Sequence, residues 1–128
     1  SPSRIFIWRP ELNVQTVTTP GNTARGATGY SVSSTVKNSG SITTDTFYVS
    51  YYLSTDAIKS SNDVYIGHAT VNGLNGWSTT TATANCNIPS NIASGNYYII
   101  AVADSTGIIR ESNEHNNAKA SATKIKIS

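Results

Sequence analysis

Apolar and polar residues alternate at every second position in run after run of this chain, and no stretch shows helical periodicity. The clearest runs are residues 30–37, 47–53 and 81–88. A strand with one buried face produces this pattern. Turn-forming residues, such as Thr-Pro-Gly-Asn at 19–22, separate the runs. We therefore predict an all-β protein, an immunoglobulin-like antiparallel β-sandwich of about seven strands.

Two runs are less regular. Residues 97–102 are apolar at most positions, and we predict that Tyr98, Ile100 and Val102 fill the core. In the last run the apolar positions change parity before Ile125 and Ile127. A bulge near residues 123–124 would reconcile the two halves of that strand; otherwise its tip pairs with another part of the protein.

Length and composition indicate a single small domain and argue against some kinds of partner. The 128 residues predict one domain, and only 12% of them are charged, with a net charge of +2. The positive charges are scattered, which argues against nucleic acid as a partner. No apolar run approaches the ~18 residues of a membrane helix, so membrane insertion is not expected. A surface rich in Ser, Thr and Asn suits an extracellular or cell-surface protein.

Several short motifs follow one another in a characteristic order. They are Pro-Glu-Leu-Asn-Val at 10–14, Val-Lys-Asn-Ser-Gly at 36–40, Ser-Gly-Asn-Tyr-Tyr at 94–98 and Glu-Ser-Asn-Glu-His-Asn-Asn at 111–117. Together they resemble the CARDB family, the cell-adhesion-related domain of bacteria and archaea. The resemblance covers residues 10–127. It implies an immunoglobulin-like sandwich, used in secreted and surface proteins as a repeated or accessory module without catalytic activity.

Residues 1–9 precede the CARDB-like domain, which we place at residues 10–128. This extension contains the apolar residues Ile5, Phe6, Ile7 and Trp8. A strand that is apolar on both faces is normally covered by other parts of a protein on both sides. One interpretation is a seam to a preceding domain or a strand that closes the sandwich's own edge. The alternative is strand donation to a neighbouring copy, which builds a filament if the contact does not close.

Two groups of polar residues are candidate cation sites. Asp56 and Asp63 bracket a loop rich in oxygen atoms, and a Ca²⁺ ion collects such ligands. Glu111, Asn113, Glu114 and their neighbours up to residue 117 form a denser cluster. In both places turn formation is the competing explanation, with Asp56 closing an Asx-type turn. No other cofactor is expected.

Residues for catalysis are not arranged in a recognisable motif. Cys86 shares the parity of Ala82 and Ala84, which predicts a small core residue rather than a nucleophile. His68 and His115 have no motif partner. We therefore predict that the protein is not an enzyme.

Aromatic residues offer a different kind of site. The rings of Tyr48, Tyr52, Tyr65, Tyr97 and Trp77 could stack on sugars. Cross-strand packing is the competing explanation for outward-facing aromatic residues, and Trp77 is predicted to fold over an open end of the sandwich.

The sequence as a whole predicts a non-enzymatic structural or adhesive module, secreted or on the cell surface. Its preferred mechanism is filament formation by strand donation through residues 5–8, with a second copy or a neighbouring domain as partner. The alternative is an accessory domain of a larger secreted enzyme or adhesin that binds a surface carbohydrate or protein.

Overall fold

A computed structural model describes residues 12–38, 46–57, 63–103 and 118–128. Within these ranges the chain forms eight strands and no helix, as the alternation predicts. The strands are β1 (Leu12–Thr18), β2 (Tyr30–Asn38), β3 (Phe47–Ser54), β4 (Val64–Val71), β5 (Thr79–Cys86), β6 (Gly95–Ala103), β7 (Ala118–Ala120) and β8 (Ile125–Ile127).

The strands form two antiparallel sheets. One sheet has the order β1-β2-β5, and the other has the order β4-β3-β6-β7, with β8 also paired to β6. The inner faces of the two sheets share one hydrophobic core, which includes Leu12, Val32, Val36, Phe47 and Val49. The sandwich prediction is therefore confirmed.

A buried tyrosine joins the two sheets across this core. The Tyr51 side chain is fully buried in β3, and its hydroxyl donates a hydrogen bond to the Ala82 carbonyl of β5 at 3.1 Å. The Ser34 hydroxyl of β2 lies 2.9 Å from the same oxygen. Because the single phenolic proton points to Ala82, Ser34 is the donor in the second bond. Burial raises the pKa of Tyr51 to about 12.

The prediction that Tyr98, Ile100 and Val102 fill the core is wrong. The residues between them, Ile99 and Ala101, belong to the core, because they lie opposite residues of β3 that face inward. Ile100 is also buried, on the outer face of the same strand. Period-two alternation cannot identify the inner face of a strand whose two faces are both buried.

The irregularity predicted in the last strand is present, but instead of a bulge near residues 123–124 the chain forms two separate strands, β7 and β8. Both strands pair with β6, but residues 121–124 interrupt the ladder. Ser121 bridges the interruption: its amide donates to the Ile99 carbonyl at 2.8 Å, and its side-chain oxygen accepts the Ile99 amide proton at 3.1 Å. The side chain thus replaces a ladder bond, and the parity change brings Ile125 and Ile127 into the core.

The two sheets approach each other closely beside Gly67 of β4. A Cβ atom on this glycine would lie 3.1 Å from the Cys86 sulfur and 3.2 Å from the Cys86 Cα atom. Directly after Cys86, the Asn87 amide donates a hydrogen bond to the Ile66 carbonyl of β4 at 2.9 Å. The missing side chain at Gly67 therefore allows β4 to lie against β5.

The segment before β2 closes the other side of the second sheet. Thr23 forms a parallel bridge with Ile127 of β8, and the Asn22 carboxamide accepts the Lys126 amide proton at 2.8 Å. The Arg25 amide also donates to the Ser128 carbonyl at 3.0 Å. As a result, β8 is hydrogen-bonded along both of its edges.

Candidate functional site

Four aromatic side chains meet on the outer face of β3 and β4. We call Tyr48, Tyr52, Tyr65 and His68 the tyrosine face. Antiparallel pairing sets Tyr52 directly opposite Tyr65, and His68 opposite Ser50. A register shift between Tyr51 and Tyr52 leaves one extra residue in β4 at this point. This bulge lets Tyr65 and His68, three residues apart, share one side of the sheet.

The rings of the tyrosine face form a continuous band. The centroids of Tyr48 and His68 are 4.8 Å apart, those of Tyr65 and His68 are 6.4 Å apart, and those of Tyr52 and Tyr65 are 5.8 Å apart. The Tyr65 hydroxyl lies 2.6 Å from Nδ1 of His68. Desolvation raises the pKa of the Tyr65 hydroxyl, with a smaller contribution from Tyr52.

This band is accessible to solvent. Tyr65 is 51% exposed and Tyr48 is 36% exposed, and the His68 and Thr70 side chains are also exposed. On the neighbouring strand β6, where Tyr98 lies opposite Ser54 of β3, the Lys124 ammonium is 5.5 Å from the centre of the Tyr98 ring. The structure therefore presents aromatic rings and hydroxyl groups together on β3 and β4, with one ammonium group over the next strand.

The structure separates the other two aromatic candidates from this face. Tyr97 packs against the core, and its hydroxyl donates to the Ala93 carbonyl at 2.7 Å. Trp77 lies in the turn before β5, has a φ of 65° and is 63% exposed. The prediction that Trp77 covers an open end of the sandwich is therefore wrong. Its amide instead donates to the carbonyl of Asn38, the last residue of β2, at 2.7 Å, while the Ser78 amide closes the turn by donating to the Asn75 carbonyl at 3.1 Å.

The two candidate calcium ligands border one shallow depression. Asp56 and Asp63 line it together with Leu53, Ser54, Thr55, Val64 and Tyr97. The Ser54 hydroxyl donates to Asp56 Oδ1 at 3.2 Å and accepts the Asp56 amide proton at 3.3 Å. The Ser54 hydroxyl and the Asp56 carboxylate therefore both take part in this turn. The Asx-type turn predicted for Asp56 would reach residues beyond 57, outside the described range, and stays a prediction. No group of three or more His, Cys, Asp or Glu residues that could hold a metal ion occurs in the described ranges.

The residues considered for catalysis have other surroundings. Cys86 is fully buried in the core, as predicted, and burial raises the pKa of its thiol to about 11. His68 contacts Tyr48 and Tyr65. Across the described part of the chain, no helix has the length and hydropathy needed to span a membrane.

Other predicted sites lie outside the described residues. They are Ile5, Phe6, Ile7 and Trp8, the polar cluster at residues 111–117, and His115 within it. Their roles stay predictions.

His68 was not recognised in the sequence as part of the aromatic site. Tyr48 and Tyr52 have outward parity in a regular strand, so the alternation indicates them. The bulge in β4 breaks the parity that would have linked His68 to Tyr65. A separation of three positions between two ring-bearing side chains that share one face of a strand is the sign that a bulge leaves in the sequence.

Comparison with known families gives an independent result. The sequence model of the CARDB family matches residues 9–121. The chain belongs to the CARDB family. This confirms the resemblance seen in the short motifs, and CARDB domains are non-catalytic modules.

Solved structures share the CARDB fold with this chain. The CARDB domain of a Pyrococcus furiosus protein, crystallised in complex with di-metal ions, is 22% identical, with a TM-score of 0.66 over 98% of this chain and 94% of that one. A domain of a protein assigned to the cell surface of Methanosarcina acetivorans is 18% identical, with a TM-score of 0.65 over 94% and 93% of the two chains.

The same fold also recurs within larger enzymes. A β-glucosidase from Erythrobacter marinus superposes with a TM-score of 0.57 and 14% identity over 93% of this chain, which corresponds to 16% of the enzyme. A search of the curated proteins finds no match to this chain.

Proposed function

We propose that this CARDB domain is a structural or adhesive module of a secreted or cell-surface protein. The observation that carries the proposal is the family match over residues 9–121. The domain from Methanosarcina acetivorans, which has the same fold, belongs to a protein assigned to the cell surface. A compact sandwich with few charges and many hydroxyl groups suits such a place.

Within this role, the mechanism that we propose is strand donation by residues 5–8. These residues come shortly before β1, and β1 is the outer strand of its sheet in the described part of the chain. A segment that enters an outer strand can leave the domain without disturbing the inner strands. In a neighbouring copy it would pair with an open sheet edge through its backbone.

The composition of the segment supports the same mechanism. Ile5, Phe6, Ile7 and Trp8 would each gain about 1.5–3 kcal/mol from burial of their side chains. The contact joins two different surfaces of identical chains, so its repetition builds a filament unless a ring closes. A second copy of this chain is therefore the expected partner.

Deletion of the segment tests the mechanism. The full chain should form filaments in negative-stain electron micrographs, whereas a chain that begins at Glu11 should sediment as a monomer. A matched control is the double substitution Phe6→Ser and Trp8→Ser, which keeps the length of the segment and should also prevent assembly. Equal assembly of the full and shortened chains would contradict strand donation, provided that both have the same melting temperature.

The alternative is an accessory domain that binds a carbohydrate or a protein for a larger enzyme or adhesin. Two observations favour it: the recurrence of this fold as 16% of a β-glucosidase chain, and the exposed tyrosine face. This alternative predicts a full chain that stays monomeric and binds a ligand. Filaments without ligand binding would contradict it.

Calcium binding at Asp56 and Asp63 is a separate proposal. The two aspartates border one depression, and the relative from Pyrococcus furiosus was crystallised with di-metal ions. Two carboxylates and the neighbouring hydroxyls supply only some of the 6–8 oxygen ligands that Ca²⁺ takes, so water or other residues would complete the shell. Binding should raise the melting temperature in CaCl₂ over that in EDTA. The Asp63→Asn variant should lose this difference, and an unchanged melting temperature of the full chain would refute the proposal.

A further inference from the structure

We infer that the tyrosine face binds a neutral polysaccharide. Tyr48, Tyr52, Tyr65 and His68 lie side by side on β3 and β4, with neighbouring ring centroids 4.8–6.4 Å apart. This inference rests on the alternative function proposed above, a carbohydrate-binding accessory domain, and names the class of carbohydrate that it would bind.

The chemistry of the face matches the two sides of a sugar ring. An aromatic ring carries negative charge density on its face, which attracts the weakly positive C–H groups of a pyranose. Tyr65 and Tyr48 expose 51% and 36% of their surface for such contacts. Around them, the exposed Thr70 hydroxyl and the His68 Nε2 atom can exchange hydrogen bonds with sugar hydroxyls.

The arrangement of the rings is preorganised. The bond of 2.6 Å between the Tyr65 hydroxyl and His68 Nδ1 fixes two side chains relative to each other. Ring contacts from Tyr48 and Tyr52 hold the same pair from both sides. Binding therefore orders few additional side-chain torsions, which lowers its entropic cost.

The charge of the face selects the class of polysaccharide. In the described residues, the outward positions of β3 are Tyr48, Ser50, Tyr52 and Ser54, and those of β4 are Tyr65, His68 and Thr70. None of these is Asp, Glu, Lys or Arg. An acidic polysaccharide would find no guanidinium or ammonium group on these two strands, and the Lys124 ammonium beside them already lies over the Tyr98 ring of β6. A neutral polysaccharide needs no such group.

The extent of the face favours a sugar over a folded protein. A protein partner of ordinary size buries about 20–30 residues on each side, usually around an apolar centre. Here the large hydrophobic side chains exposed on these strands are only Tyr48 and Tyr65. A few rings suit a short stretch of a polymer, and many weak contacts along that polymer can add up.

Affinity electrophoresis of the full chain tests the inference. Native gels would contain mannan, dextran or xyloglucan, with polygalacturonate as the acidic comparison. At least one neutral polysaccharide should retard the protein. Tyr65→Ala and Tyr48→Ala should weaken that retardation about tenfold, as the loss of an aromatic contact predicts.

Trp77→Ala is the matched control, since Trp77 is 63% exposed but lies away from the tyrosine face. It should bind like the unsubstituted chain, and circular dichroism should show that all variants keep the folded sandwich. The inference is overturned if no neutral polysaccharide retards the protein, which would leave the face to a protein partner. It is equally overturned if only polygalacturonate does so, or if Trp77→Ala weakens binding as much as Tyr65→Ala.

Discussion

Removal of the Tyr51 hydroxyl should destabilise the sandwich at its centre. In the Tyr51→Phe variant the ring still fills its place, but the buried Ser34 hydroxyl loses its acceptor and the Ala82 carbonyl loses a donor. A buried polar group left without its partner costs about 1–3 kcal/mol. We therefore expect the free energy of unfolding to fall by about 2 kcal/mol.

Chemical denaturation monitored by circular dichroism measures this change. Tyr97→Phe is the matched control, because it removes a hydroxyl whose bond to Ala93 is exposed, and it should cost less than about 0.5 kcal/mol. Combining Tyr51→Phe with Ser34→Ala completes a double-mutant cycle, in which the coupling should be about 1 kcal/mol. Equal costs for the two Tyr→Phe variants, or a coupling of zero, would refute the role assigned to Tyr51.

The buried Tyr51 hydroxyl should also make the stability of the folded state depend on pH. Burial raises the pKa of Tyr51 to about 12 from the ordinary 10.0. The folded state therefore keeps a proton that the unfolded state releases near pH 10. The stabilisation is complete below pH 10 and is lost as the pH rises towards 12. The melting temperature of Tyr51→Phe should consequently fall less steeply than that of the unsubstituted chain across this range.

Three further predictions concern other buried contacts. Cys86 should resist thiol reagents in the native protein at pH 8 and react after unfolding, since it is buried and its pKa is raised to about 11; rapid native labelling would contradict its place in the core. Gly67→Ala should cost about 1–3 kcal/mol because its Cβ meets Cys86 at 3.1–3.2 Å, and the added Cys86→Ala change should recover part of that loss in thermal melts. Ser121→Ala should cost about 1–2 kcal/mol and speed hydrogen exchange at the Ile99 amide, whereas unchanged exchange would mean that another group accepts that proton.

The fold was predictable because it depends on a repeated signal. In each regular strand, apolar and polar residues alternate over many positions. A shift of the strand by one residue against its neighbour would therefore expose all of its apolar side chains at once. The inward faces of β2, β3 and β5 follow directly from this rule. The rule fails for β6, where Ile99 and Ile100 are both buried, because the pattern carries no preference between two covered faces.

The candidate site was less predictable because it depends on register and on a bulge. Tyr48 and Tyr52 could be placed outward from their own strand, but their neighbour across the sheet is set by pairing. The extra residue in β4 brings His68 beside Tyr65, and the separation of three positions between them is the one local sign of that shift. Trp77 shows the same limit in a turn, where its φ of 65° directs the side chain to solvent rather than over the core.

The two-sided pairing of β8 has a mechanical consequence. Its antiparallel bonds to β6 run perpendicular to its length, and its parallel bonds to the segment around Thr23 cross it at a slant. A pull along β8 therefore loads all of these bonds together in shear, rather than opening them one by one as in a zipper. Asn22 adds a side-chain bond to the same set. If the domain is pulled through β8, this strand would bear load as a clamp, with a resistance to extension well above that of a strand paired on one side.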